Sequence, residues 1–136
     1  MLWGITGSGK TEVYLQIAAL ELSKSRHCLI LIPEIGLVPQ LVDRFRKRFG
    51  SNVFEYHSNC STKEKIETWK RALDNTKPSV FIGTRSAIFL PLSSLGLIVL
   101  DEEHDSSFKQ ESPMPCYHAR ELAIHRAKKT GAKVIL

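Results

Sequence analysis

The segment GITGSGKT, residues 4–11, lies close to the start of the sequence. In it, a glycine and four further residues precede Gly9, Lys10 and Thr11. This is the GxxxxGK[ST] pattern: its glycines let backbone N–H groups turn toward phosphates, its lysine reaches the terminal phosphates, and its hydroxyl ligates Mg²⁺. A helix expected from Glu12 onward would add its positive amino-terminal end. Average composition produces this pattern by chance in roughly one of a few hundred chains of this length. We therefore predict a phosphate-binding loop rather than a flexible glycine-rich turn.

Short apolar runs alternate with helical patterns along the rest of the chain. The predicted strands are 28–32, 53–56, 79–83, 95–100 and 133–136. Helices are predicted from residue 12 onward, over 39–49 and over 117–129. A further helix is predicted to begin at a cap formed by Ser61 or Thr62, with Ile66, Trp69 and Leu73 on its inner face. This alternation predicts an α/β fold, a three-layer P-loop NTPase domain with a mostly parallel sheet and helices on both faces. The sequence ends within an apolar run, so we expect a fragment of a longer protein.

Composition and cysteine usage narrow the class of protein. The 136 residues are 43% hydrophobic and 24% charged, which suits one globular domain, and the net charge of +5 is compatible with a polyanionic partner. No apolar run reaches the roughly 18 residues of a membrane span. Three cysteines without CxxC spacing argue against a disulfide framework and a zinc site, and favour a reducing cytoplasm. His57 and His118 have no carboxylate or cysteine at ligand spacing, so we interpret both as ordinary hydrogen-bonding residues.

An acidic cluster follows the most apolar predicted strand. Asp101, Glu102, Glu103 and His104 come directly after LIVL, where carboxylates are costly unless they face a cleft or a cation. Together with the glycine loop, Asp101 would hold Mg²⁺ and Glu102 would orient or deprotonate the attacking water. The two motifs in this order predict a nucleotide triphosphatase.

Several longer segments carry a resemblance to a known family. The segments are GITGSGKTEVYL, LIPEIGLVPQL, GTRSAIFLPL, LIVLDEEHDSSFKQ and YHARELA. They resemble the PriA family of replication-restart helicases, also called primosomal protein N′, within helicase superfamily 2. The resemblance covers essentially the whole chain, and the last three segments are far more specific than a glycine loop.

The resemblance implies that residues 1–136 are the first, N-terminal RecA-like lobe of an ATP-dependent 3′-to-5′ DNA helicase. Such a helicase acts in primosome assembly and restart of stalled forks, in the cytoplasm, and its partners are single-stranded and forked DNA, single-strand-binding protein and other primosome proteins. The implied cofactors are ATP and Mg²⁺, with zinc only in a cysteine-rich part of the family outside this chain. The implied ATP-binding residues are Gly4, Thr6, Gly7, Ser8, Gly9, Lys10 and Thr11; the catalytic set is Lys10, Asp101, Glu102 and His104, and Mg²⁺ is held by Thr11 and Asp101.

The resemblance also implies a DNA-contacting edge. Residues 33–35 are similar to motif Ia and residues 83–87 to motif Ib, and residues 106–117 are similar to the family's aromatic-rich loop. The implied DNA-binding residues are Thr84, Arg85, Ser86, Phe108 and Tyr117. An arginine at position 85 could equally pair with a carboxylate, and the two aromatic rings could be packed rather than exposed for base stacking. The basic run Arg44, Arg46, Lys47 and Arg48 is better explained as a solvated helix face.

The chain departs from the family pattern in two respects, and three rival classes of protein stay open. Cys116 stands where a basic residue is expected, which argues against a phosphate contact at that position. The second lobe with its arginine finger lies outside the chain, so we expect the fragment alone to bind nucleotide weakly and to hydrolyse it poorly. One rival is another superfamily 2 translocase of repair or restriction. The others are a small-molecule P-loop kinase and a nucleotide-binding module without catalysis; the intact Lys10, Thr11, Asp101 and Glu102 argue against the last.

Overall fold

The computed structural model describes residues 9–136 as four helices and seven strands. The helices are α1 (Lys10–Ser23), α2 (Val38–Phe49), α3 (Thr62–Leu73) and α4 (Ala119–Thr130). The strands are β1 (His27–Leu31), β2 (Val53–Tyr56), β3 (Val80–Gly83), β4 (Leu95–Leu100), β5 (Lys109–Gln110), β6 (Tyr117–His118) and β7 (Lys133–Ile135). Short 3₁₀ turns cover Ile35–Leu37, Arg85–Phe89 and Ser106–Phe108.

Five of these strands form one parallel sheet in the order β2-β3-β1-β4-β7. β1 lies at its centre, with Leu31 opposite Gly83 on one side and Leu100 on the other. β1, β3 and β4 are buried along their whole length, which explains why their sequences are continuous apolar runs. Because the strands are parallel, the segments that leave β1, β3 and β4 emerge at the same edge of the sheet.

Alternate residues of each strand face two separate cores. On one face, Ile30, Ile82 and Val99 pack with residues of α1 and α2. On the other face, Leu29, Phe81 and Ile98 pack with residues of α3 and α4. The predicted three-layer α/β class is confirmed. Within residues 9–136, no helix is long and apolar enough to cross a membrane.

The predicted inner face of α3 is wrong. Ile66, Trp69 and Leu73 are exposed, whereas Thr68 and Ala72 are buried. Small side chains let the helix lie close to the sheet, and the Thr68 hydroxyl donates a hydrogen bond to the carbonyl of Glu55 on β2. The hydrophobic pattern of α3 therefore marks the side that faces away from the core.

The α4 boundary also differs from the prediction. The helix begins at Ala119 because Tyr117 and His118 form β6, which pairs antiparallel with β5. His118 then accepts a hydrogen bond from the amide of Arg120 through Nδ1 and caps the helix. This ribbon was not predicted, because a strand of only two residues leaves no pattern in the sequence.

The start of α3 is fixed by a reciprocal pair of hydrogen bonds. The Ser61 hydroxyl accepts from the Glu64 amide at 3.2 Å, and a Glu64 carboxylate oxygen accepts from the Ser61 amide at 2.7 Å. This capping box satisfies two N–H groups that the first helical turn leaves without partners. Of the two residues that the sequence offered as a cap, the structure uses Ser61.

We expect Ser61→Ala to lower the free energy of unfolding by about 1 kcal/mol, because the Glu64 amide loses its acceptor. Thr62→Ala, one residue further into the exposed first turn, is the matched control and should have a smaller effect. Urea unfolding followed by circular dichroism measures both. Equal losses in the two variants would contradict the assignment of the cap.

Candidate nucleotide site and the adjoining loop

The end of the glycine loop leads directly into α1. Gly9 has φ +87°, a left-handed conformation that favours glycine, and its carbonyl accepts hydrogen bonds from the amides of Glu12 and Val13. Lys10 and Thr11 therefore occupy the first turn of the helix. The predicted ATP-binding residues Gly4, Thr6, Gly7 and Ser8 lie outside the described residues.

Lys10 meets the acidic cluster. Its Nζ donates a hydrogen bond to Glu102 Oε1 at 3.0 Å, although the two residues are 92 positions apart in the sequence. Both side chains are partly buried, with relative exposures of 16% and 32%. The fold thus brings the predicted phosphate-binding cation and the predicted water-activating carboxylate into one site.

Asp101 is held by two hydrogen bonds from neighbouring elements. Its amide donates to the Leu31 carbonyl at 2.9 Å, which continues the β1–β4 ladder by one residue. Its Oδ1 accepts from the Tyr14 hydroxyl of α1 at 3.0 Å. Burial, together with the charge of Asp101, raises the pKa of Tyr14, so this phenol keeps its proton and remains a donor. Tyr14 was not predicted as a site residue, because its only signal in the sequence is its position one helical turn after Lys10.

The turn after Asp101 has an unusual backbone. Glu102 has φ +53°, a left-handed conformation that is uncommon for a residue with a side chain. Such conformations cluster at functional sites. The turn directs Glu102 toward Lys10, while Glu103 pairs with Arg120 of α4 at 3.4 Å.

His104 is the most exposed member of the acidic cluster. Its side chain is 76% exposed, and Nε2 lies 3.5 Å from Glu102 Oε2. The imidazole therefore lies between the candidate site and solvent. This position leaves it accessible to a ligand or a neighbouring domain.

These residues fit a nucleotide with Mg²⁺. Lys10 provides a cation for phosphate oxygens, and Thr11 and Asp101 provide the hard oxygen ligands that Mg²⁺ prefers. Glu102 is a carboxylate able to accept a proton.

Arg85 connects two loops at the carboxyl edge of the sheet. It follows β3, and its guanidinium donates to the carbonyls of Ser107 and Lys109 and to Gln110 Oε1, each at 3.1 Å. The Ser107 hydroxyl in turn donates to the Pro33 carbonyl after β1 at 3.2 Å. The segment after the acidic cluster is thereby attached to the segments after both β1 and β3. The carboxylate partner that sequence analysis considered for Arg85 is replaced by carbonyl oxygens.

The two aromatic residues of the loop have different environments. Phe108 is fully buried in the core with α4, so the expectation that its ring is exposed for base stacking is wrong. The ring fills the space beneath the loop and anchors it. Tyr117 is half-buried, packs edge-on against Phe89 with ring centroids 4.9 Å apart, and lies 5.7 Å from the Arg85 guanidinium carbon. Phe89, which is 49% exposed, was missed by sequence analysis.

Thr84 and Ser86 flank Arg85 at the same edge. Thr84 is half-buried and Ser86 is exposed at the start of the short 3₁₀ turn. The end of this segment is held by Arg126 of α4, whose guanidinium donates to the carbonyls of Ile88, Leu90 and Leu92. The predicted DNA-contacting segment is therefore fixed on one side by α4 and on the other by the loop.

His57 is a hydrogen-bonding residue, as predicted, but the expectation that no carboxylate or cysteine lies in position to share a ligand with it is wrong. The carboxylate of Glu55 and the thiol of Cys60 both lie close to its ring, and one donor atom from each of the three residues falls within 4.8 Å of the other two. Glu55 and His57 are two residues apart and His57 and Cys60 are three apart, but this spacing matches none of the common metal motifs.

The basic residues Arg44, Arg46, Lys47 and Arg48 of α2 are exposed, as expected for a solvated face.

Comparison with known proteins agrees with this geometry. Residues 1–131 match the family model described as DEAD/DEAH box helicase. Replication restart protein PriA of Synechocystis sp. is 57% identical over 136 residues, and that of Bacillus subtilis is 49% identical over the same length. The matches cover 100% of this chain but 16% and 17% of those proteins.

Solved structures extend the comparison. The Pyrococcus furiosus Hef helicase domain aligns with a TM-score of 0.68 and 25% identity, over 96% of this chain and 27% of that chain. The C-terminal part of the Fun30 ATPase domain, at 13% identity and a TM-score of 0.61, shares the fold over 99% of this chain and 42% of that chain.

The resemblance to PriA proteins is thus confirmed over the full length of the chain. The chain belongs to the DEAD/DEAH box helicase family, with replication restart PriA proteins among its relatives.

Proposed function

We propose that this chain is the ATP-binding lobe of an ATP-dependent 3′-to-5′ DNA helicase that acts in primosome assembly and restart of stalled replication forks. The observation that carries the proposal is the 3.0 Å contact between Lys10 and Glu102, with Asp101 beside it at the end of β4. The relatives named replication restart protein support the cellular role. Single-strand-binding protein and other primosome proteins are the proposed partners, in the cytoplasm.

In this proposal each residue of the site has one role. Bound ATP with Mg²⁺ supplies the phosphoanhydride bond whose hydrolysis drives movement along DNA. Lys10 binds phosphate oxygens, Thr11 and Asp101 hold the metal, and Glu102 orients the attacking water and accepts its proton. Stabilisation of transition-state charge falls to a second lobe, so this lobe alone hydrolyses ATP poorly.

The proposed DNA surface is the carboxyl edge of the sheet beside β3. Thr84 and Ser86 offer hydroxyl and amide donors to phosphates, and Tyr117 with Phe89 offers an aromatic surface for a base. Arg85 acts chiefly by holding the loop of residues 106–117 against this edge. His104, exposed next to Glu102, couples the ATP site to DNA or to the second lobe.

We expect Lys10→Ala to abolish binding of a fluorescent ATP analogue in the presence of Mg²⁺, because the phosphates lose their main cationic partner. Lys70→Ala, on the exposed side of α3, removes the same charge and should leave binding unchanged. Fluorescence titration of both variants measures the effect. Equal affinities in Lys10→Ala and the unmodified chain would reject the nucleotide site in this chain.

We expect Tyr14→Phe to raise the Mg²⁺ concentration needed for half-maximal nucleotide binding by about tenfold, because Asp101 loses the hydrogen bond that orients it. Affinity at saturating Mg²⁺ should change little, which separates orientation of a metal ligand from general damage to the site. Tyr56→Phe at the end of β2 is the control. An unaltered Mg²⁺ requirement in Tyr14→Phe would exclude this positioning role.

We expect Arg85→Ala to accelerate tryptic cleavage after Lys109 and to weaken binding of single-stranded DNA, because the loop loses three hydrogen bonds. Arg85→Lys should not restore either property, since an ammonium group lacks the planar fork that reaches three acceptors. Arg44→Ala removes an exposed arginine from α2 and controls for net charge. If Arg85→Ala and Arg44→Ala weaken DNA binding equally, the contribution of position 85 is electrostatic only.

A further inference from the structure

Three potential metal ligands lie together away from the nucleotide site. Glu55 is the third residue of β2, His57 follows the strand, and Cys60 lies just before the Ser61 cap of α3. His57 is buried and Cys60 is half-buried. We call these three residues the β2 cluster.

The distances within the β2 cluster are close to those of a single coordination sphere. Zinc binds sulfur at about 2.3 Å and nitrogen or oxygen at about 2.0–2.2 Å, so ligands of one tetrahedral ion lie roughly 3.3–3.8 Å apart. His57 Nε2 lies 3.1 Å from Glu55 Oε2, and the donor atoms of all three residues lie within 4.8 Å of one another. Side-chain adjustments of about an ångström would bring all three onto one ion.

The ring of His57 must exchange one hydrogen bond to bind a metal. Its Nδ1 accepts from the Asn59 amide at 3.2 Å, so Nε2 carries the proton and donates it to Glu55. A metal at Nε2 requires the ring proton on Nδ1, and the Asn59 amide then turns away. Asn59 is exposed within a turn, so its amide can bond to water instead.

The surroundings of the β2 cluster favour a cation. The cluster lines a cavity of about 340 Å³ together with Glu64 and Glu67. Arg46 on the same wall lies 3.7 Å from Glu55 Oε1, so a metal would bind Glu55 through Oε2, the oxygen that faces His57. Burial and the nearby carboxylates raise the pKa of the Cys60 thiol, so the thiol is protonated in the absence of metal. A bound cation reverses this effect, and its binding releases the thiol proton to solvent.

We propose that Glu55, His57 and Cys60 form a zinc-binding site, with a fourth position open to solvent. A thiolate and an imidazole select zinc over Mg²⁺ or Ca²⁺, and one carboxylate completes a mixed three-ligand set. The ion links the end of β2 to the start of α3.

A metal on the β2 cluster would affect the neighbouring strand β3 and the segment that follows it. Tyr56 stands between two of the ligands, and its carbonyl oxygen lies so close to Gly83 that a side chain at position 83 would overlap it. Gly83 leads directly into Thr84 and Arg85. A metal on the β2 cluster therefore stiffens the support of the proposed DNA-contacting segment without touching the nucleotide site.

Metal binding to the purified 136-residue chain tests this inference. Zn²⁺ affinity is measured by competition with a chromogenic chelator, and Co²⁺ substitution reports the thiolate through its charge-transfer absorption in the near ultraviolet. We expect one tightly bound Zn²⁺ per chain and a cobalt–thiolate band. Cys60→Ala should remove the band and weaken Zn²⁺ binding by more than about a hundredfold, because loss of a direct ligand costs more than loss of an outer-shell partner.

Cys116→Ser is the matched control, because Cys116 is an exposed thiol outside the β2 cluster. It should bind Zn²⁺ like the unmodified chain and keep the cobalt band. Cys60→Ser, which preserves the size of the side chain, should behave like Cys60→Ala, and circular dichroism verifies that both variants are folded. Equal Zn²⁺ affinity in Cys60→Ala and the unmodified chain, or loss of the band in Cys116→Ser instead, would overturn the proposal. Nucleotide binding by Lys10→Ala is a separate measurement, so failure of either proposal leaves the other standing.

Discussion

The arrangement of the site depends on β1 having a parallel partner on each side. β3 and β4 pair with it in registers that place Gly83 and Leu100 opposite Leu31. Since parallel strands end at the same edge, the segments after Pro33, Gly83 and Leu100 converge there although they are far apart in sequence. The bond from the Asp101 amide to the Leu31 carbonyl then carries this alignment into the acidic cluster.

The parts of the fold that could be predicted are those whose structure is determined by the residue types within one short segment. Strands buried on both faces need continuous apolar runs, so β1 and β3 were predicted to within one residue and β4 without error. The glycine loop and the acidic cluster were recognisable because phosphate and metal chemistry demand particular residues at particular spacing. Their meeting at 3.0 Å follows from the parallel sheet.

The remaining features depend on contacts between distant segments. Tyr14 reads as an ordinary apolar helix position, and only the fold shows that its hydroxyl reaches Asp101. Phe108 is flanked by polar residues, yet the loop turns its ring into the core. On α3, helical periodicity identified one apolar face, but the sheet accepts the smaller residues Thr68 and Ala72. Periodicity shows that a helix has two faces, and the shape of the neighbouring layer decides which one is buried.

The ion pair between Lys10 and Glu102 has a consequence for ionic strength. A phosphate that approaches Lys10 replaces a carboxylate already in contact with the same ammonium group. Dissolved salt screens the attraction of Lys10 for either anion. It therefore weakens the contact with Glu102, which is lost, as well as the contact with the phosphate, which is gained. The two effects partly cancel, and the exchange is less sensitive to salt than capture of a phosphate by an unpaired lysine. On the proposed DNA surface, phosphates would meet Thr84 and Ser86 rather than a lysine already paired with a carboxylate, so DNA binding would lack this compensation and salt would separate the two events.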